Sequence, residues 1–309
     1  MSRPTASMPI LRAIALALRL APIKTRHGQV CYYLLRIFRL DRFDEPVTAR
    51  LRSGATLPVR LSDFNGRMLF FFGTVDPKIV GTCRALLREG DTLLDIGANH
   101  GVVGLLCAAA VGESGAVHFV EPQPELCEGI RSASTALRCS STVHQIGLLD
   151  EDGEFELRLA ARHTGAASLV DQPENADGTT VRVRVREINA FLDETAGAGA
   201  FGAKVDVEGA EERIIPSLLQ REGLRFLLFE CNRDSTREFV RRAILDNDDG
   251  PAMAVFGLEK RLLRVRLAPV QRIEDLRGFD DLVVVQLDAG SVPDRSISPA
   301  QLAKLQNQP

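Results

Sequence analysis

Acidic side chains recur in this chain where a short apolar run stops. Asp95 follows Thr92-Leu93-Leu94 and leads into Ile96-Gly97-Ala98-Asn99-His100-Gly101. Glu121 closes Val117-His118-Phe119-Val120, and Glu230 closes Arg225-Phe226-Leu227-Leu228-Phe229. Asp206 and Glu208 follow Ala203-Lys204-Val205. Runs of this length and composition suit buried parallel strands. Ligands of an open α/β sheet bind outside the carboxyl ends of its strands, where these carboxylates stand. There a carboxylate can accept hydrogen bonds from hydroxyl groups, about 1.5–3 kcal/mol each when charge-assisted, or take a proton as a general base.

The turn after Asp95 narrows the ligand. A dinucleotide fingerprint needs G-x-G-x-x-G, but this chain has Gly97-x-Asn99-x-Gly101, with Val102 where a third glycine would fall. Asn tolerates the left-handed backbone better than most residues and stands where a glycine often does. The apolar stretch 102–110 then has the composition of a packed helix, whose start offers unpaired N–H groups. An acidic residue two positions before the first glycine, followed by G-x-N-x-G, resembles the first motif of class I methyltransferases. That resemblance implies a loop facing the methionine half of S-adenosylmethionine, with Asp95, Gly97, Ala98, Asn99 and Gly101 around it. Glu121 lies 24 positions after Gly97, one strand–helix–strand unit on, and is placed to accept both ribose hydroxyls. The plainer readings are a glycine-capped turn and a solvated strand end.

Methyl transfer from a sulfonium is an in-line displacement, and alignment alone contributes on the order of 7–11 kcal/mol. A hydroxyl acceptor also needs a base. Asp206 and Glu208 are two residues apart, so extended backbone would send them to opposite sides, one toward cofactor and one toward acceptor. His163 and His100 are reserve bases. Asp206, Glu230 and Asn232 could offer three oxygens to Mg²⁺, but the metal-free reading is preferred.

These groups must be held by alternating strands and helices, which predicts an α/β fold. Residues 47–62 pattern as a β-hairpin and 78–88 as a helix. Strands follow at 91–95, 117–120 and 142–146, with a helix over 124–137. Further buried strands are expected at 203–207 and 225–230, a helix at 234–245, and strands at 254–258, 261–266 and 282–286. Residues 153–159 and 181–187 alternate as a half-buried pair, Val181, Val183 and Val185 against Arg182, Arg184 and Arg186. They predict a hairpin insertion at about 150–187, its arginines on a solvated face.

The whole reads as a seven-stranded, mostly parallel sheet with helices on both faces. A basic helical extension occupies 1–45, the main domain 46–290 and a polar tail 291–309. Residues 1–40 hold seven Lys/Arg and no Asp or Glu. Helices are expected at 8–21 and 29–40, the second with Val30, Tyr33, Leu34, Ile37 and Phe38 on one face. A prefix packed on the main domain is preferred to an arm resting on an anionic membrane. With 45% hydrophobic residues, net charge −3, six cysteines without C-x-x-C spacing and no apolar run of spanning length, a cytoplasmic protein without a nucleic-acid partner is expected.

Together these residues resemble the FkbM-type methyltransferases. Asp95–Gly101 is similar to the family's DIGANxG motif, Glu121-Pro122 to its acidic-Pro pair, and Lys204-Val205-Asp206-Val207-Glu208-Gly209-Ala210-Glu211 to its K-[IV]-D-[VI]-E-G-A-E element. The chain departs from it at Asp76-Pro77 in place of Glu-Pro and at Ile188-Asn189 in place of Leu-Asp. The resemblance implies a class I, Rossmann-like fold and O-methylation of a sugar or other small-molecule hydroxyl. S-adenosylmethionine would be the cofactor and S-adenosylhomocysteine the product. Gly97, Asn99, Glu121 and Pro122 would then meet the cofactor, Gln145 and Gly147 its adenine, and Asp206 and Glu208 would flank the transfer site. A non-catalytic module keeping the fold is the alternative. A nicotinamide dehydrogenase is disfavoured, since the only tyrosines, Tyr32 and Tyr33, lie in the basic extension.

Overall fold

The computed structural model describes residues 7–20, 27–159, 164, 167, 179–196, 199–246, 253–260 and 265–286. Helices α1 (Met8–Leu20) and α2 (His27–Phe38) lead into the antiparallel hairpin β1 (Pro46–Arg50) and β2 (Thr56–Arg60). α3 (Phe64–Phe72) and α4 (Pro77–Leu86) precede the first long-range strand, β3 (Thr92–Ile96). The chain then alternates: α5 (Val102–Val111), β4 (Ala116–Val120), α6 (Pro124–Ser134) and β5 (Ser140–His144). Strands β6 (Gly147–Leu149), β7 (Gly153–Arg158) and β8 (Thr180–Glu187) form a small sheet of their own. α7 (Ile188–Thr195), β9 (Phe201–Val205), α8 (Glu211–Leu219), β10 (Leu224–Glu230) and α9 (Asp234–Val240) resume the alternation. β11 (Met253–Lys260), β12 (Val265–Val270), the single turn α10 (Ile273–Leu276) and β13 (Asp281–Gln286) follow.

The main sheet runs β12-β11-β13-β10-β9-β3-β4-β5. β5, β4, β3, β9 and β10 are parallel, while β13 is antiparallel to both its neighbours. The class I arrangement expected from the sequence is present, with an eighth strand, β12, added at the outer edge. The parallel strands are buried throughout at β9 and nearly so at β3 and β10, because helices cover both faces. Their carboxyl ends therefore open on one side of the sheet, with the acidic residues read from the sequence at or just past them.

The expected hairpin insertion is also present, completed by β6 pairing in parallel with β8. Val183 and Val185 are buried, and the arginines turn outward to carboxylates of this same region. Arg186 donates twice to Glu194, at 2.7 and 2.8 Å, and Arg182 lies 3.7 Å from Glu154.

A buried ion pair ties the opposite edge of the sheet. Nε and Nη2 of Arg225 donate to the two carboxylate oxygens of Asp91, each at 2.9 Å, and the Arg88 N–H adds a third bond at 2.7 Å. Both side chains are nearly inaccessible. Removing one partner of such a pair leaves an uncompensated buried charge. Asp91→Ala is therefore expected to lose about 3–5 kcal/mol of stability in urea unfolding, and Asp91→Leu with Arg225→Met markedly less.

The extension packs on α3. Leu11 and Ala15 of α1 are buried, and Arg19 in its last turn donates to the carbonyls of Leu69, Phe70 and Phe71, at 2.7–3.3 Å. Those carbonyls lie in the last turn of α3, where that of Leu69 also accepts the Gly73 N–H at 2.9 Å, and a guanidinium there suits the helix dipole. On α2, Cys31 is buried and His27 stacks on Phe72 with ring centroids 4.1 Å apart. The expected single face is rotated. Val30, Leu34, Leu35 and Phe38 pack inward, whereas Tyr33 and Ile37 are more than 60% exposed.

Candidate active site

Asp95 stands fully buried beneath the glycine turn, its Oδ2 accepting the Gly104 N–H at 2.9 Å and its Oδ1 3.6 Å from Lys204 Nζ. Burial pushes its pKa up, against the pull of the lysine. It braces the turn and start of α5 and does not line the cleft. Above it, Gly97 has φ +69°, and a Cβ there would sit 1.8 Å from the Asp206 carbonyl oxygen. Only glycine fits where the turn meets the end of β9. Asn99 takes φ +51°, the left-handed conformation its type allows, and its side-chain oxygen accepts the His100 N–H at 2.8 Å.

Glu121 is buried against this turn. Its Oε2 accepts the Asn99 N–H at 2.8 Å and its Oε1 the Gln123 N–H at 2.9 Å. Burial raises its pKa, opposed by these two bonds. The carboxylate is thus fixed in position by backbone on both sides.

Beyond β9 the chain does not stay extended. Glu208 is left-handed at φ +52° and Gly209 follows at φ +109°. The Glu211 carboxylate holds this turn by accepting the N–H groups of Val207, at 3.1 Å, and Gly209, at 2.8 Å. Asp206 and Glu208 consequently do not diverge. Their carboxylates converge with that of Glu230 at the end of β10, with oxygens within 4.8 Å of one another. Burial and then the neighbouring carboxylates push Glu208 up to about 7 and Glu230 up to about 8. Asn232 is exposed and does not line the cleft.

Lys204 is the cation facing this acidity. Its Nζ donates to the Gly97 carbonyl at 2.6 Å and lies 3.6 Å from both Asp95 and Asp206. Burial disfavours its charge, yet Asp206, Asp95 and Glu121 outweigh that and hold its pKa above the ordinary lysine value. The sequence signal for it was a charged residue inside a buried strand, Phe201-Gly202-Ala203-Lys204-Val205, which folding permits only when the charge is paired.

These parts surround a cleft of about 270 Å³. Gly97–His100, Glu121–Gln123, Ile146–Leu148 and Asp206–Glu208 line it, and Phe64 and Asn65 close it from the extension side. Gly97, Ala98, Asn99, Glu121, Pro122, Gly147, Asp206 and Glu208 are therefore brought together as a set. Gly101 caps α5 from below, its Cβ position 2.9 Å from the Ile130 side chain. Gln145 misses the cleft: β5 ends at His144, and Gln145 is exposed with Arg131 at 3.4 Å. His163 lies outside the described residues. His100 lines the cleft with Nε2 3.7 Å from Asp63, a residue the sequence reading passed over. Asp63 caps α3 by accepting the Gly66 N–H at 2.6 Å and also accepts the Thr164 N–H at 2.8 Å. Its signal was an Asp directly before an apolar helical stretch.

Residues 95–242 match the methyltransferase FkbM domain, so the resemblance drawn from Asp95–Gly101, Glu121-Pro122 and Lys204–Glu211 is borne out. The chain matches no curated protein in sequence. Among solved structures it is similar to a SAM-dependent O-methyltransferase from Thermotoga maritima, at 14% identity over 81% of this chain and 96% of that one, with a TM-score of 0.39. It is also similar to an O-methyltransferase from Bacillus cereus in complex with SAH, at 10% identity over 91% and 100% of the two chains, with a TM-score of 0.41. The O-methyltransferase TomG from Streptomyces achromogenes, involved in tomaymycin synthesis and solved with SAM, gives 10% identity over 92% and 100%, with a TM-score of 0.41.

Proposed function

We propose that this chain, whose residues 95–242 match the methyltransferase FkbM domain, is an S-adenosylmethionine-dependent methyltransferase acting on a hydroxyl of a sugar or another small-molecule acceptor. The observation that carries the reading is the cleft, in which one face is the Gly97–His100 turn with Glu121 and the other is the Asp206, Glu208 and Glu230 cluster.

The residues fit the cofactor. The missing Cβ at Gly97 lets the turn seat against the end of β9, and Gly97 itself lines the cleft. Glu121, locked by two backbone bonds, lines the cleft, and each of its oxygens has a further lone pair to which a ribose hydroxyl could donate. Ile146, Gly147 and Leu148 give an apolar wall with a flat glycine gap, suited to a purine. When bound, S-adenosylmethionine supplies an electrophilic methyl group on a positively charged sulfur.

The chain's own groups then orient the acceptor and take its proton. Asp206, Glu208 and Glu230 give the far side of the cleft a concentrated negative field, partly offset by Lys204. Glu208 is the proton acceptor in this reading, since a base works best with a pKa near the working pH. Asp206 positions Lys204 and accepts from the substrate hydroxyl.

The sign of the pH dependence follows. A base must be unprotonated, so turnover rises with pH through about 7, as Glu208 gives up its proton. Glu208→Gln is expected to lower kcat by about 10²–10⁴-fold and to abolish that rise, leaving S-adenosylhomocysteine affinity little changed. Full activity with an unchanged profile would place the base elsewhere. The reading as a whole is tested by calorimetric titration with S-adenosylhomocysteine, with NAD as control. Binding of the first and not the second is expected. Binding of neither would favour a non-catalytic module.

A further inference from the structure

The six large hydrophobic residues most exposed among the described residues all lie on α1 and α2: Ile10, Leu16, Leu20, Tyr32, Tyr33 and Ile37, each 51–79% accessible. α1 is apolar over most of its circumference, interrupted by Arg12 and Arg19. Leu11 and Ala15 face α3, while Ile10, Ala13, Leu16, Ala17 and Leu20 face out. α3 covers one side of it and leaves a contiguous row of apolar side chains open on the other.

The charge of the same region says what covers the other side. Seven of the chain's Lys/Arg and none of its 41 Asp/Glu fall within the first 40 residues, although the whole chain is net negative. Arg12, Arg36 and Arg39 are exposed beside the apolar positions, and Arg36 lies over the Tyr32 ring while donating to its hydroxyl at 3.0 Å. Aliphatic side chains, two tyrosines and arginines with no carboxylate between them match a surface that is apolar beneath and anionic at its boundary. No helix among the described residues is long and apolar enough to cross a membrane, so the contact would be with the surface only.

We propose that α1 and α2 form a docking face for an anionic lipid bilayer, lying in its interface with α3 behind them. The placement bears on access. Gly28 of α2 packs on the Phe64 ring, its Cβ position 3.5 Å away, and Phe64 lines the cleft. A docked chain holds its cleft beside the lipid headgroups. The proposal rests on the surface alone and stands apart from the chemistry assigned to the cleft.

The test is flotation of the full chain with vesicles of phosphatidylcholine containing phosphatidylglycerol, and with phosphatidylcholine alone. The chain should float with the first, weakly or not at all with the second, and less as salt screens the arginines. Leu16→Glu with Tyr33→Glu, both at exposed positions, should reduce partitioning about tenfold or more while leaving the thermal unfolding midpoint in place, since each change removes apolar contact and adds like charge to the lipid. Failure of the full chain to float, equal flotation with neutral vesicles, or flotation undiminished in the variant would each overturn the proposal. Dimerisation without flotation, lost in the same variant, would assign the face to a second copy and overturn it too.

Discussion

Glu121→Ala is expected to weaken S-adenosylhomocysteine binding by about 10²–10⁴-fold, the equivalent of two charge-assisted hydrogen bonds. Two effects combine. The alanine offers nothing to a ribose, and it also releases the N–H groups of Asn99 and Gln123, which the carboxylate now holds at 2.8 and 2.9 Å. The turn that faces the ligand thereby loses the group that fixes its height above β4. Glu121→Gln separates the contributions. It keeps the shape and one acceptor but presents an NH₂ group to one of the two backbone donors, so it should fall between wild type and alanine. Calorimetry reads the affinity, and circular dichroism confirms that the variants remain folded. Affinity within twofold of wild type for Glu121→Ala would remove this residue from the binding site.

The second large effect is expected at Gly97. In Gly97→Ala the new methyl would lie 1.8 Å from the Asp206 carbonyl oxygen, on a backbone with φ +69°. Left-handed backbone costs a non-glycine residue roughly 1–3 kcal/mol, and the clash is with main chain, which cannot rotate away. Relief requires the turn to move off the end of β9, separating the Asn99–Glu121 side of the cleft from the Asp206 side. Ligand binding should fall below detection, with a lowered unfolding midpoint. Gly81→Ala is the matched control. It lies inside α4 with nothing within 4 Å of its Cβ position, so alanine there should be neutral or slightly stabilising. If Gly97→Ala binds as wild type, the contact between turn and strand end is not needed for the site.

The groups that could be read from sequence were those whose chemistry depends on local spacing. The turn Gly97–Gly101 carries its own conformational demand, and Glu121 and Asp206 follow apolar runs that ended where strands end. Glu208 shows where such reading stops. Assigning it to the side opposite Asp206 assumed extended backbone, but the Glu211 carboxylate, by capturing two N–H groups, curls Val207–Gly209 and brings Glu208 back. Nothing in the local pattern announces that capture. Gln145 lies outside the cleft for a related reason: the strand expected at 142–146 ends at His144, two residues earlier. Tyr33 and Ile37 occupy correct helical spacing on α2, but which face of that helix meets α3 is decided by Cys31 and His27, through contacts with Met68 and Phe72. The convergence of Glu230 with residues 206 and 208 depends on β10 lying beside β9, a tertiary fact.

The position of β13 also bears on how the chain is made. It is inserted between β10 and β11, with Phe226 opposite Val285 and Ala254 opposite Val285 on its other side. During synthesis β10 is complete at residue 230, while its neighbour arrives about fifty residues later, after β11 and β12 have emerged. Until then β10 presents a bare, strongly apolar edge, and β11 is the nearest strand able to take it wrongly. Translation that stalls or terminates before residue 281 would therefore leave an adhesive fragment, prone to pairing with other chains, rather than a shortened enzyme.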